Sequence, residues 1–431
     1  MTTTADPLYK PAHKFLNDLL EQLRAEGEIT YVEKHKFLGD SAQHTQHARL
    51  RSDRFLFRVL EKPEALPAAL TLAAAIFDDP MGQAHLDAAK SDKEQKSTFE
   101  KSKNWILSLI VTPLVRKYFD KDIDDLEHED HLSNVITWWL DGFRAREFLS
   151  VAICPVEGLG GTVQEIRFSE DVSLRRMTDE EKTSLFEKAS FRYSIYEFME
   201  IKYAVYARAR CHFGEPCRAR TDADIDKAFQ ALQMTLHGAV RAPVTIIQHT
   251  PWSPSPFHNS GAMAQGPDVW RTHEVVTIAD DSSDAITGNF LRLTSPKLAG
   301  AHEVRRAVGR LISARTKHDP VDTFLDLVIG LDTLLGQGGP EQTLRISLRC
   351  AYLLGSTPGE RRTFRNFVQK AYGTRSAIAH AGTMPQDAAA ALPELEVLLR
   401  RAICMVMDLY ISGVIKSRKG LLEILDERIV S

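Results

Sequence analysis

The part of the chain from about residue 300 onward carries helix start and stop signals at short intervals. Asp319-Pro320 places an N-cap residue before a proline at the first helical position, and Gly336 follows the last apolar residue of that stretch. A further segment ends at Gly355, and Thr357-Pro358-Gly359-Glu360 is a capping box that starts the next helix. Signals this dense, joined by short connections, predict a bundle of antiparallel helices.

Apolar residues between these signals recur every three to four positions, which is the helical period. Four successive helices are predicted in this way. The first has the apolar stripe Val321, Phe324, Val328, Leu331 and Leu335, and the second covers Glu341–Leu354. The third has Phe364, Phe367, Val368 and Ala371 and is followed by Gly373, and the fourth has Leu395, Leu398, Ala402, Met405 and Leu409.

The preceding residues divide into two segments of different character. Residues 1–150 are predicted to form a helical N-terminal region, and residues 151–298 a mixed α/β domain. The fold class expected for the whole chain is therefore α+β, predominantly helical, with a C-terminal bundle over 299–431. The elements predicted in the middle segment are a helix at Ile225–Gly238 and strands near Val163–Phe168, Ile201–Cys211, Val244–Gln248, Glu274–Ile278 and Phe290–Leu293.

Composition restricts the function classes. The 431 residues have a net charge of −4, so binding to nucleic acid needs a local basic patch rather than a global field. Five scattered cysteines do not form a disulfide framework and favour a reducing compartment. The N-terminal residues lack the apolar core of a signal peptide, and no apolar run is long enough to span a bilayer. We expect a cytoplasmic protein without a membrane partner.

The most informative pair of side chains is Arg375 and His380, with four residues between them. A guanidinium holds a phosphate and its transition-state charge, and an imidazole transfers protons near neutral pH. On an ideal helix the two would lie about 140° apart and about 7.5 Å apart along the axis, so they do not share a narrow face. The alternative is that Arg375 is a surface residue and His380 caps the helix C-terminus, where the dipole favours the protonated ring.

Other motifs are weaker. Cys211-His212-Phe213-Gly214-Glu215-Pro216-Cys217 has metal-ligand residue types but no second pair at zinc-site spacing. Gly158-Leu159-Gly160-Gly161 lacks the lysine of a P-loop. Trp138-Trp139 is expected to pack between helices rather than to stack on bases. No metal or cofactor is predicted.

Residues from about 300 to 412 resemble the Apea-like HEPN family. The segments that carry the resemblance are Phe324-Leu325-Asp326-Leu327-Val328-Ile329-Gly330-Leu331-Asp332-Thr333-Leu334-Leu335, Leu344-Arg345-Ile346-Ser347-Leu348-Arg349-Cys350-Ala351-Tyr352-Leu353-Leu354-Gly355 and Tyr372-Gly373-Thr374-Arg375-Ser376-Ala377-Ile378-Ala379-His380. This chain departs from the family pattern at two points: Ala381 intervenes between the histidine and the glycine, and Asp332 replaces a glutamate.

The resemblance implies a metal-independent endoribonuclease. His380 acts as general base or acid, Arg375 stabilises the scissile phosphate, Ser376 orients the phosphate or the imidazole, and Asp332 fixes the imidazole tautomer. Candidate RNA-binding residues are Arg345, Arg349, Arg365 and Tyr372, with Arg361 and Arg362 adding positive charge.

HEPN domains generally pair, so the resemblance also implies a homodimer in which two motifs line one cleft. It further implies a role as an effector of antiphage defence (abortive infection) or as a toxin, with a phage-derived trigger or an antitoxin as partner. Two alternatives stay open: a non-catalytic HEPN scaffold for dimerisation or RNA binding, and a ligand-binding regulator built on residues 151–298.

Overall fold

The structure is a computed structural model. The residues it describes are 3–26, 29–38, 41–50, 66–88, 98–120, 126, 129–189, 194–213, 217–236, 238, 240–241, 244–252, 261–264, 275–279, 281–317, 319–339, 341–381 and 386–430.

Helices dominate the described residues, and strands make up the rest of the regular structure, so the fold is mixed and predominantly helical. The helices are α1 (Tyr9–Glu26), α2 (Pro67–Asp78), α3 (Pro80–Ala88), α4 (Phe99–Trp105), α5 (Thr112–Tyr118), α6 (Glu129–Arg144), α7 (Asp179–Ala189), α8 (Ile195–Glu200), α9 (Cys217–Thr235), α10 (Ser282–Leu293), α11 (His302–Thr316), α12 (Pro320–Leu335), α13 (Gln342–Leu354), α14 (Pro358–Ala381), α15 (Gln386–Ala389), α16 (Leu392–Ile411) and α17 (Arg418–Val430). The strands are β1 (Ile29–Leu38), β2 (Ser41–Leu50), β3 (Glu147–Val156), β4 (Leu159–Gly161), β5 (Glu165–Arg167), β6 (Val172–Arg176), β7 (Tyr203–His212), β8 (Val244–Thr250), β9 (Gly261–Ala264) and β10 (Val276–Ile278).

The chain forms two compact units. The predicted C-terminal segment, 299–431, lies entirely in the second unit, whereas the predicted middle segment, 151–298, contributes to both. The first unit comprises Met1–Pro155, Arg176–Ile225 and Ala242–Asp268, and the second comprises Val156–Arg175, Asp226–Arg241 and Val269–Ser431.

The helices α1 to α6 of the first unit enclose one apolar core. Trp139 is fully buried there, and its indole N–H donates to the carbonyl of Ile110 at 2.9 Å. That carbonyl belongs to a π-helical segment, Ile106–Val111, directly before α5. Pro113 lies in the first turn of α5 and has no backbone N–H, so the helical hydrogen-bond ladder cannot continue regularly at this point. The chain thus stays helical through Pro113, with a π-helical segment directly before it.

The sheet of the first unit carries two predicted strands. β7, β3, β8 and β9 are neighbours in that order, and β8 pairs antiparallel with both β3 and β9. The predictions for Ile201–Cys211 and Val244–Gln248 are confirmed as β7 and β8. A cluster of apolar residues that includes Phe198 and Ile246 is buried with this sheet, and residues 203–207 of β7 are all buried.

The N-terminal region contains one feature that helical periodicity did not predict. β1 and β2 form an antiparallel hairpin from Ile29↔Leu50 to Leu38↔Ser41. Ile29-Thr30-Tyr31-Val32 is rich in β-branched and aromatic residues, a composition that favours a strand. The described residues of 1–150 are thus mostly helical apart from this hairpin and the start of β3.

In the second unit, β5 pairs antiparallel with β6, and β4 pairs parallel with β10. The strand predicted at Phe290–Leu293 is wrong, because these residues form the last turn of α10. Ile286, Phe290 and Leu293 are buried at helical spacing. A short apolar run does not distinguish a strand from a helix by itself, and here the helical spacing over the longer segment decided the outcome.

Within the second unit, α12 contacts α11, α14 and α16. The predicted caps are present: Asp319 Oδ1 accepts from the Val321 N–H at 2.8 Å, and Gly336 and Gly355 end α12 and α13. The start of α14 is the predicted capping box, in which Glu360 N–H donates to Thr357 Oγ1 at 3.2 Å and Thr357 N–H donates to Glu360 Oε2 at 3.1 Å.

Candidate functional site

The candidate site lies on the second half of α14, which continues through Gly373 to Ala381 without interruption. Val368, Tyr372 and Ile378 are buried and fix the orientation of this half against the bundle. The opposite face of the helix remains open, and a Cβ added at Gly373 would meet no described atom within 4 Å. Gly382, the glycine that follows Ala381 in the family-like motif, lies outside the described residues.

His380 and Ser376 occupy this open face. Both residues are exposed, and His380 is in the last turn of the helix. Residues four apart on a helix are offset by about 40° and by about 6 Å along the axis, so the two side chains are neighbours on one surface. A hydroxyl beside an exposed imidazole at a helix C-terminus is suited to binding and protonating an oxygen of a substrate.

The Arg375 side chain projects from the helix in a different direction from those of Ser376 and His380. It is half-buried, and its guanidinium carbon lies 5.9 Å from the centre of the Tyr372 ring. The ideal offset of about 140° between Arg375 and His380 applies because α14 is continuous between them. A single copy of the helix therefore does not bring the two side chains to one point.

Tyr372 and Asp332 form the buried side of the site. Tyr372 is 5 % exposed, and its hydroxyl has no hydrogen-bond partner among the described residues. Burial raises the pKa of Tyr372 well above its usual value; the charge of Asp332 raises it further, and Arg375 acts in the opposite direction. Asp332 Oδ1 accepts from the amide of Gln342. The structure thus groups Asp332, Tyr372 and Arg375, whereas Ser376 and His380 project about 100° and about 140° around α14 from Arg375.

The position of Asp332 also depends on the glycine that ends α12. A Cβ at Gly336 would lie 2.2 Å from Asp332 Oδ1, so a larger residue would displace the carboxylate. In the part of the chain that the structure describes, the carboxylate is hydrogen-bonded to Gln342, and it forms no hydrogen bond or ion pair with His380. The role of Asp332 as a partner of the imidazole stays a prediction.

The predicted RNA-binding arginines differ in exposure. Arg345 and Arg365 are exposed, and Arg365 lies about 60° around α14 and about 22 Å along its axis from His380. Arg349 is 1 % exposed and makes four hydrogen bonds, to Asp426, to the Leu335 carbonyl and to Gln337. We therefore retain Arg345 and Arg365 as candidate phosphate contacts and assign Arg349 to the packing of the bundle.

Two neighbouring arginines on α14, Arg361 and Arg362, also differ in exposure. Arg361 stacks over the Tyr352 ring at 4.4 Å and donates to the Gly355 carbonyl at 3.1 Å, so it holds the turn between α13 and α14. Arg362 is exposed and lies, by helical geometry, on the same side of α14 as His380. The positive charge available on that face thus comes from Arg362 and Arg365.

The described residues contain no group of three or more His, Cys, Asp or Glu side chains arranged to hold a metal ion. Cys211, the first residue of the metal-like motif, forms a disulfide, whereas Cys154, Cys350 and Cys404 are free. None of the described helices has the length and apolarity required to cross a bilayer.

Comparison with protein-family models, with curated proteins and with solved structures gives no match for this chain. The resemblance to the Apea-like HEPN family therefore depends on residues of α12, α13 and α14 alone.

Proposed function

We propose that this protein is a metal-independent endoribonuclease of the HEPN class. The observation that supports the proposal best is the surface of α14, where His380 and Ser376 are exposed side by side at the helix C-terminus and Arg375 lies one residue before Ser376. The chemistry of these side chains is sufficient for RNA cleavage, since the 2′-hydroxyl of the substrate supplies the nucleophile.

The reaction is an intramolecular transesterification. The ribose 2′-oxygen forms a bond to phosphorus, its proton passes to a general base, and the bond from phosphorus to the 5′-oxygen breaks as that oxygen gains a proton. The products are a 2′,3′-cyclic phosphate and a 5′-hydroxyl. His380 performs one of the two proton transfers, and Arg375 stabilises the charge that develops on the phosphoryl oxygens.

A second copy of the chain supplies a way for Arg375 and His380 to reach one phosphate. Arg375 and His380 project about 140° apart on one helix. If two copies pair with their α14 helices facing each other, Arg375 of one copy approaches Ser376 and His380 of the other. Exposed Arg362 and Arg365 then extend the positive surface along which an RNA strand lies.

The biological role follows from the resemblance alone. We propose an effector of antiphage defence, acting by abortive infection, or a toxin. In either role the nuclease is restrained until a phage-derived trigger appears or an antitoxin is lost.

The decisive test is cleavage of RNA by the purified full-length protein in EDTA, with the ends of the products identified. We expect cyclic phosphate ends, and we expect Arg375→Ala and His380→Ala to abolish cleavage while the oligomeric state measured by light scattering stays the same. His302→Ala removes another exposed histidine of the second unit and serves as the matched control. If both site variants cut like the parent, the assignment of the site is wrong.

The alternative is a non-catalytic HEPN scaffold for dimerisation or RNA binding. One observation favours it: Arg375 is half-buried against Tyr372 and points away from His380. Parent protein that binds RNA but never cuts it, even with lysate from phage-infected cells present, supports this alternative against the nuclease.

A further inference from the structure

A separate cavity in the second unit lies where α9, the end of α10 and the start of α11 meet. Its volume is about 150 Å³. Its described lining contains two cationic side chains, Lys227 and Arg305, and no aspartate or glutamate. A concave site with positive charge and no matching acid in its wall is a candidate for binding an anion.

The two cations face the same space from different elements. Lys227, on α9, is half-buried, and its ammonium donates to Gln230 Oε1 at 3.3 Å. Arg305, in the first turns of α11, donates to the Ala299 carbonyl at 3.3 Å. Burial lowers the pKa of Lys227, and Arg305 lowers it further, whereas Asp226 acts in the opposite direction and does not cancel them. The repulsion between two cations is relieved when an anion binds between them.

Uncapped backbone donors lie at the same cavity. α11 starts at His302, whose N–H donates to the Gly300 carbonyl at 3.0 Å, and Ala301, at its N-cap position, supplies no side-chain hydrogen bond to the following N–H groups of the first turn. The positive end of the helix dipole favours an anion there. Ser295 precedes a short 3-10 turn without capping it through its side chain in the described structure, so its hydroxyl is available to a ligand.

The remaining walls limit the size and character of the ligand. They are apolar and include Leu293, Leu298 and Val304. The cavity is too small for a nucleic acid strand, so it is distinct from the surface proposed for RNA on α14. We propose that this cavity binds a phosphate group, either as inorganic phosphate or as the monoester of a small, partly apolar molecule, held by Lys227, Arg305, the Ser295 hydroxyl and the N-terminus of α11. The proposal does not depend on the nuclease activity.

The first test is calorimetric titration of the full-length protein with inorganic phosphate and, separately, with phenyl phosphate, at constant ionic strength maintained with chloride. We expect saturable binding of at least one of the two. Lys227→Gln and Arg305→Gln should each weaken it by about tenfold or more, because each removes a charged hydrogen bond. Arg306→Gln removes the neighbouring, exposed arginine of the same helix and should leave the affinity unchanged.

A second measurement uses only the parent protein, so it does not depend on whether the variants fold. Phosphate should protect Lys227 from acylation by an amine-reactive reagent, while exposed Lys297, outside the cavity, keeps its reactivity. Tighter binding of phenyl phosphate than of inorganic phosphate assigns the site to an organic monoester, and the reverse order assigns it to free phosphate. Absence of saturable binding of both compounds, or equal weakening by Arg306→Gln, overturns the proposal.

Discussion

Arg349 offers the sharpest test of the distinction between a packing residue and an RNA contact. Its guanidinium forms a two-point contact with the Asp426 carboxylate, with both distances 2.7 Å, and it also donates to the Leu335 carbonyl at 2.9 Å. These bonds connect α13 to the C-terminal end of α12 and to α17. Arg349→Met keeps the length and apolar character of the side chain and removes all of them.

The expected cost follows from the burial of the two partners. Arg349 is 2 % exposed at its side chain and Asp426 is 52 % exposed. Breaking a fully buried ion pair costs about 3–5 kcal/mol. Because water can solvate Asp426 again after the substitution, we expect a smaller loss of about 2–3 kcal/mol in the free energy that holds α17 on the bundle. This loss corresponds to opening of α17 about 30- to 150-fold more often.

Amide hydrogen exchange measured on peptides from Arg418–Val430 reports this local opening directly. The exchange of α17 should accelerate by about that factor in Arg349→Met. Arg345→Met, an exposed arginine one turn earlier on α13, is the matched control and should leave α17 unchanged. The packing role of Arg349 is wrong if α17 exchanges at the parent rate in Arg349→Met while the affinity for RNA falls, since Arg349 would then bind RNA and not stabilise the bundle.

Three further predictions concern neighbouring side chains. Tyr372→Phe should leave the thermal unfolding midpoint unchanged or raise it, with a gain of up to about 1 kcal/mol, because the buried hydroxyl has no partner among the described residues; a clear loss of stability would show that the hydroxyl is bonded. Gly373→Ala should stabilise α14 by about 0.5–1 kcal/mol, seen as slower amide exchange, because the position is helical and open; a loss of RNA cleavage in that variant would show that the substrate needs the bare glycine. Burial and, second, the hydrogen bond to Glu303 raise the pKa of Tyr410 in the folded protein. The stability that the neutral Tyr410 contributes is therefore complete below its unfolded pKa of about 10 and is lost as the pH rises above that value. Denaturant midpoints at about pH 9 and about pH 11 should therefore differ less in Tyr410→Phe than in the parent, and equal differences would contradict this assignment.

The boundaries of the C-terminal helices were predictable because each depends on a few adjacent residues. Asp319 caps α12 through its own side chain, and the Thr357 and Glu360 pair starts α14 through reciprocal bonds within four positions. Such signals act within one turn of chain, and distant residues have little influence on them. The strand prediction at Phe290–Leu293 was wrong for the opposite reason. A short apolar run fits both the strand period and the helix period, and only its packing neighbours in the folded chain distinguish the two.

The candidate site was predictable only in part. Helical geometry by itself separates Arg375 from His380 and pairs Ser376 with His380, and the continuous α14 agrees with that expectation. The difference between Arg345 and Arg349 was not accessible from the sequence, because both are arginines on the same helix. Their roles depend on whether Asp426, far along the chain, lies opposite.

The helix ends of the C-terminal segment, the predominantly helical class and the side chains available for phosphate chemistry all follow from local composition and period, so they can be predicted from the sequence. Which charged groups are satisfied internally and which face open space depends on the folded chain. It buried Arg349 against α17, left His380 exposed, and brought Lys227 and Arg305 to one cavity from distant parts of the chain. Electrostatic roles depend on distance and burial, and the folded chain sets both.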